Sequence, residues 1–213
     1  FNAGSYTHTL SGNWINSGTF SAGTSIVQMT GATNTSITGA TTFNILTINK
    51  TASSNVVSLQ NNVTVPVINM TTGSVLTGAN TLTITTTRNG NGIIMGTITR
   101  THTFSMAVDY AFEGPDNTIN FSVVSGVTSI TVYVAAGSIS DYPNGSAINR
   151  VYDITVPSGT YVAKLRLHYE EAELNGNDET AMQLIRYNGA SWAVSGKTGN
   201  STTSNYVEQT ALT

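Results

Sequence analysis

The side chains able to do chemistry gather in one stretch. Glu170, Glu171, Glu173, Asp178 and Glu179, with Asn175 and Asn177 among them, form one dense group of oxygen donors. Such a density suits Ca²⁺, a hard cation held by many oxygens. Glu171, Glu173, Asp178 and Glu179 are the candidate ligands, although their spacing is not that of a helix–loop–helix calcium site and a solvated acidic loop explains the same residues. No other metal or cofactor is implied. His8, His102 and His168 are scattered over strand-like runs, none at metal-ligand spacing with another. No Ser stands in a nucleophile-elbow pattern. Glycoside hydrolysis needs paired carboxylates, and residues 1–108 contain no Asp or Glu, so a catalytic pair in that half is impossible. The expectation is therefore not an enzyme. Lys164 could form an isopeptide crosslink to an Asn, but nothing near it in sequence specifies the partner. The nine Tyr and two Trp could stack on sugars, which makes a glycan the second candidate partner.

The elements that must carry these groups are strands. The 213 residues include only 8 Lys or Arg and 11 Asp or Glu, with net charge −3 and no Cys. Thr, Ser, Asn and Gly take the place of charge, against a helical bundle. The charge balance excludes a basic nucleic-acid binder, and no apolar run approaches the ~20 residues of a membrane helix. Without Cys there is neither a disulfide framework nor a thiolate metal site. Residues 1–108 carry only Lys50, Arg88 and Arg100, whereas all the acids lie from Asp109 onward. That shift places the boundary between two directly packed all-β units, residues 1–103 and 104–213.

In the first unit short strands recur between Gly and Asn, among them 6–10, 14–16, 25–29, 35–37, 43–48, 56–59, 63–68, 81–84 and 93–98. Either a hairpin-rich β-sandwich or a parallel β-solenoid (a β-helix-like stack) fits this pattern. The solenoid is favoured, because stacked coils align polar side chains into ladders that charge at each rung would disrupt. The run Gly12-Asn13-Trp14, Gly18-Thr19-Phe20, Thr24-Ser25-Ile26-Val27, Phe43-Asn44-Ile45-Leu46-Thr47-Ile48-Asn49 and Gly73-Ser74-Val75-Leu76-Thr77-Gly78 resembles a recurrent solenoid repeat of very large secreted surface proteins from Bacteroidetes- and Ignavibacteria-type bacteria. The resemblance covers residues 1–100 and implies architecture, with almost no bearing on function.

The second unit has longer alternating strands, at 104–112, 117–122, 129–135, 150–156, 161–169, 180–187, 191–194 and 205–207. Turn chemistry separates them, and Asn188-Gly189 is the clearest hairpin. Seven or eight strands in this length fit an immunoglobulin-like β-sandwich. Tyr110-Ala111-Phe112-Glu113-Gly114, Arg150-Val151-Tyr152-Asp153-Ile154 and Leu165-Arg166-Leu167-His168-Tyr169 resemble a domain that follows such solenoids, in which one more apolar strand would come after Leu212.

The composition suits an extracellular, secreted, cell-surface building material, and the chain reads as a processed piece of a secreted protein. The leading expectation is a homopolymeric filament or surface-layer subunit joined head-to-tail, by end stacking or by strand donation. Ser5, Tyr6, Thr7, His8, Thr9 and Leu10 would be the donor, and Tyr206, Val207 and Leu212 would border the acceptor. The opposite charges of the two halves would favour that contact. The alternative is an adhesin or carbohydrate-binding segment of a large surface protein.

Overall fold

Apolar residues alternate with Thr, Ser and Asn along most of the chain, and the alternation becomes strand wherever one face can be buried. In the computed structural model, which describes residues 1–139, 142, 145 and 147–213, the first half is a stack of parallel coils. It contains β1 (Thr7–Leu10), β2 (Trp14–Ile15), β3 (Ile26–Met29), β4 (Thr35–Thr38), β5 (Thr41–Thr42), β6 (Ile45–Asn49), β7 (Val56–Leu59), β8 (Val63–Thr72), β9 (Ser74–Asn89) and β10 (Ile93–Thr101). Thr7 lies beside Ile26, Ile26 beside Ile45, Ile45 beside Val67 and Val67 beside Thr87, so a coil takes 19 to 22 residues. The irregular coil length blurs the repeat in sequence while leaving the register intact.

Three stacks result. One runs through β1, β3, β6 and the later parts of β8 and β9. A second joins β2, β4, β7 and the starts of β9 and β10. The third joins β5, the start of β8, the middle of β9 and β10. These parallel registers rule out the hairpin sandwich for residues 1–100. Inside, like stacks on like: Val27, Leu46 and Ile68 form one buried column, and Met29, Ile48 and Met70 the next.

The second half contains β11 (Asp109–Ala111), β12 (Thr118–Ser125), β13 (Ser129–Ala136), β14 (Arg150–Thr155), β15 (Thr160–His168), β16 (Leu184–Tyr187), β17 (Trp192–Gly196), β18 (Gly199–Ser201) and β19 (Tyr206–Leu212). Most expected strands are present. The strand expected over 104–112 shrinks to Asp109–Ala111, and the only helical turn among the described residues is the 3-10 turn Glu171–Glu173. The turn expected at 142–145 lies largely outside the described residues.

β13 pairs antiparallel with β10 and β14 with β13, so one twelve-stranded sheet runs from the first coil into the second half. A second sheet, in the order β11-β12-β15-β19-β18, is antiparallel throughout. Ile119 and Phe121 of β12 and Ile130, Val132 and Val134 of β13 belong to the same apolar core as the coils. The two halves therefore share a sheet and a core. No helix among the described residues is long and apolar enough to cross a membrane.

Candidate functional site

The acidic residues proposed as Ca²⁺ ligands do not converge. Glu173 turns inward, where its carboxylate accepts from Arg150 Nε at 2.6 Å and from a terminal Arg150 nitrogen at 3.1 Å. Glu171 stays exposed on its turn. Asp178 accepts from the Thr180 N–H at 2.9 Å and hydroxyl at 2.8 Å. Glu179 accepts from the Tyr169 hydroxyl at 2.8 Å. Glu173, Asp178 and Glu179 each answer a different donor, and among the described residues no three His, Cys, Asp or Glu side chains come together around a metal position.

What the fold assembles instead is a buried ionic cluster. Glu113, fully buried at the turn after β11, accepts from Arg150 at the head of β14 and from the Tyr152 hydroxyl. His168 Nδ1, at the end of β15, lies 3.2 Å from the same carboxylate. The Tyr152 oxygen is also 2.7 Å from the His168 carbonyl. The cluster ties β14 to β15 and to the Glu171–Glu173 turn, whose Glu170 N–H donates to Glu173 at 2.9 Å. Burial pushes the Glu113 carboxyl up, but the His168 hydrogen bond, the Arg150 charge and the Tyr152 hydroxyl outweigh it and hold the group below its ordinary value. Burial, then the neighbouring Glu113, pushes the Tyr152 phenol up. Acid, base and phenol together resemble catalytic parts. The surface grooves at Thr101–Phe104 with Val124–Thr128, and around Phe1 and Trp14, are lined by other residues. With Glu113 0% and Arg150 6% exposed, the arrangement holds strands together.

One consequence is acid sensitivity. Because the folded-state pKa of Glu113 lies below the ordinary 4.5, its stabilisation is complete above that value and is lost as pH falls through the folded pKa. Urea midpoints followed from neutral pH into the carboxylate range should fall steadily for the native chain. Glu113→Gln should be weaker at neutral pH with a shallower acid slope. An unchanged slope would remove Glu113 from the cause.

The three basic residues of residues 1–108 are also inside. Lys50 Nζ donates to the Thr30 carbonyl and lies 3.5 Å from Thr35 Oγ1. Arg88 donates to the carbonyls of Gly90, Gly92 and Glu113, and Arg100 to those of Ala111 and Thr86. Burial lowers Lys50 and brings both arginines down to about 10. These cations satisfy backbone carbonyls where chain segments meet. They present no positive surface, which corrects the expectation that opposite charges draw two subunits together.

The assembly residues divide in two. Thr7–Leu10 is β1, with in-register pairing to β3, so the 5–10 segment is not a free donor strand. The Tyr6 and Leu10 carbonyls accept from the Ile26 and Thr30 N–H groups at 3.1 and 2.7 Å. By alternation Thr7 and Thr9 turn their backbone groups to the other side, where no strand pairs with them among the described residues. Beside that edge lies an aromatic floor. The Trp14 ring is 4.8 Å from Phe20 and 5.1 Å from Phe43, and Phe1 stacks on Phe20 at 5.9 Å. A groove of about 380 Å³ runs between Phe1, Leu10, Trp14, Ile15 and Phe20. Phe1, Tyr6 and Ile15 are 69%, 72% and 70% exposed.

Tyr206, Val207 and Leu212 lie on β19, which pairs with β15 and, over Tyr206–Glu208, with β18, so Tyr206 and Val207 are flanked by strands on both sides and Leu212 by β15 alone. Val207 is in the core, and the Arg166 guanidinium sits 4.0 Å above the Tyr206 ring. The open edge at the far end of the large sheet is β14, which pairs with β13 alone. Lys164 lies 3.6 Å from Glu208 and opposite Asn120 in the strand register, and the Asn120 amide donates to Asp109 at 2.8 Å. His8 Nε2 lies 3.0 Å from the Ala3 carbonyl, and His102 lies 3.3 Å from Arg100 Nε, each a structural contact. Sequence reasoning missed the roles of Arg150 and Tyr152; a lone cation opening an alternating strand in so uncharged a chain was the available signal. No family model matches the chain, and neither a curated protein nor a solved structure does.

Proposed function

We propose that this chain is a structural subunit of an extracellular bacterial filament or surface layer, built by head-to-tail stacking of copies. The observation that carries the reading is the single sheet whose path ends at β1 and β14, each paired on one side only among the described residues, with β2 and β5 of the first coils open in the same way. A long sheet edge is a template for another chain, and proteins that avoid association protect it with charge, Pro or a covering loop. β1 has none of these, and the exposed Phe1, Tyr6 and Ile15 beside it supply apolar contact. A contact between unlike ends that does not close on itself makes a fibre. End stacking replaces strand donation, because residues 5–10 are already built into the first coil. In this reading the second half is an immunoglobulin-like β-sandwich that terminates the coil stack, supported by its two sheets and shared core.

Electron microscopy of native material, with intact mass on the same sample, tests the reading. Fibres built from a species near 22.4 kDa support it. A much heavier parent chain whose preceding coil pairs with β1 overturns it. Thr9→Pro supplies a second test: it removes an N–H on the open side of β1, where Pro is tolerated in an edge strand. The variant should fold with an unchanged far-ultraviolet spectrum and form no fibres. Normal fibres would exclude β1 from the joint.

A carbohydrate-binding adhesin segment is the second reading, favoured by the Tyr142, Tyr187 and Trp192 rings grouped at the β16–β17 hairpin. Their interplanar angles of 87° and 42° give no flat platform. A glycan array with and without Ca²⁺ would decide it, and absence of binding in both would end this reading.

A further inference from the structure

The third stack carries a row that is not legible in sequence. Thr42 pairs in register with Thr64, Thr64 with Thr83, Thr83 with Thr99, Thr99 with Thr131 and Thr131 with Thr155. Six strands, joined by three parallel steps up to β10 and two antiparallel steps beyond it, thus place Thr at one position of one outer face. All six are exposed or partly exposed; the first five alternate with buried neighbours and Thr155 with the partly buried Ile154 and Val156. Thr81 and Thr97 begin a parallel row on one side of it. Thr101 and Ser129 continue another on the other side. The Thr99 and Thr131 hydroxyls are 2.9 Å apart, so this pair hydrogen-bonds across the β10–β13 step.

We propose that this face binds ice. Neighbouring strands lie about 4.7–4.9 Å apart, which sets the mean repeat of the threonines along a row, and two residues of strand set adjacent rows about 6.6 Å apart. Both repeats are on the scale of the oxygen spacings on the prism faces of hexagonal ice. Thr is restricted at χ1, so hydroxyls and methyls are held in rows before water meets them, and little freedom is lost on binding. The row itself carries no charge, and the one exposed carboxylate beside it, Asp153, stands at its far end, two residues from Thr155. No Thr in the row flanks an exposed cation, because Lys50, Arg88 and Arg100 are buried, Arg100 from within the same strand as Thr99. Strand propensity and Thr–Thr pairing account for Thr in any one pair. They do not account for one register kept through coils of different length and on into β13 and β14. The proposal is independent of whether the chain polymerises.

Thermal hysteresis and ice-crystal shaping test it on the full chain. The native protein should facet growing crystals and open a hysteresis gap. Thr99→Lys should lose most of that gap, and Thr64→Lys should do the same if Thr99→Lys does not fold. Gln28→Lys, on the outer face of the first stack, should keep it. Absence of shaping by the native chain at millimolar concentration overturns the proposal, as does an equal loss in Gln28→Lys. A dimer seen by sedimentation that Thr99→Lys abolishes would assign the face to a second copy and overturn it too.

Discussion

Arg150→Met should lower the unfolding free energy by about 3–5 kcal/mol, the cost of leaving buried carboxylates without their cation. Glu113 and Glu173 both turn to this one guanidinium, and both are buried. The loss should appear as a fall in the denaturant midpoint with little change in slope, since the surface exposed on unfolding stays the same. A companion variant separates charge from packing. Adding Glu113→Gln to Arg150→Met removes one orphaned charge and should return part of the stability. If Arg150→Met falls within about 1 kcal/mol of the native chain, the range of exposed ion pairs, the cluster is not what holds β14 in place. The assembly reading would then lose its rigid far edge as well.

Gly39→Ala should cost on the order of 3 kcal/mol or more, near the upper end for single substitutions. Gly39 adopts φ +88°, where side chains are strained. A Cβ there would also sit 1.8 Å from the Asn16 carbonyl oxygen of the coil below. Gly78→Ala is the control for strain alone: its φ is +60° and its Cβ would meet nothing within 4 Å. It should cost about 1 kcal/mol. Thermal or chemical unfolding of both variants gives the comparison. Equal losses would mean that the coil corner at Gly39 has room to move, and that stacking at the corners is looser than the backbone contact indicates.

Much of the fold was readable because strand periodicity is local. Val56–Leu59 as a strand and Asn188-Gly189 as a hairpin turn follow from alternation and turn residues, and the charge-poor Thr, Ser and Asn load favoured a coil for residues 1–100. The segment before β11 was misread, since Phe104 is buried as an isolated anchor rather than as one member of an alternating run. The acidic stretch misled for a related reason. Carboxylates close in sequence suggest a common ligand, but a 3-10 turn sends Glu173 inward to Arg150 and leaves Glu171 outside.

By itself the amino-acid sequence determined that the chain is all-β and that its first half can hold no carboxylate chemistry, and it favoured a parallel coil over a hairpin sandwich there, a choice that the strand registers decided. Those properties depend on composition and on neighbours two residues apart. The tertiary structure alone decided where the scarce charges go, which strands are left unpaired, and which threonines share a row. Steps of 22, 19 and 16 residues put Thr42, Thr64, Thr83 and Thr99 in register although their sequence intervals differ. Arg150 meets Glu113 across 37 residues of chain. Such contacts are set by the stacking of whole strands, because each strand takes its register from buried side chains on the opposite face, and no short window of sequence contains both partners.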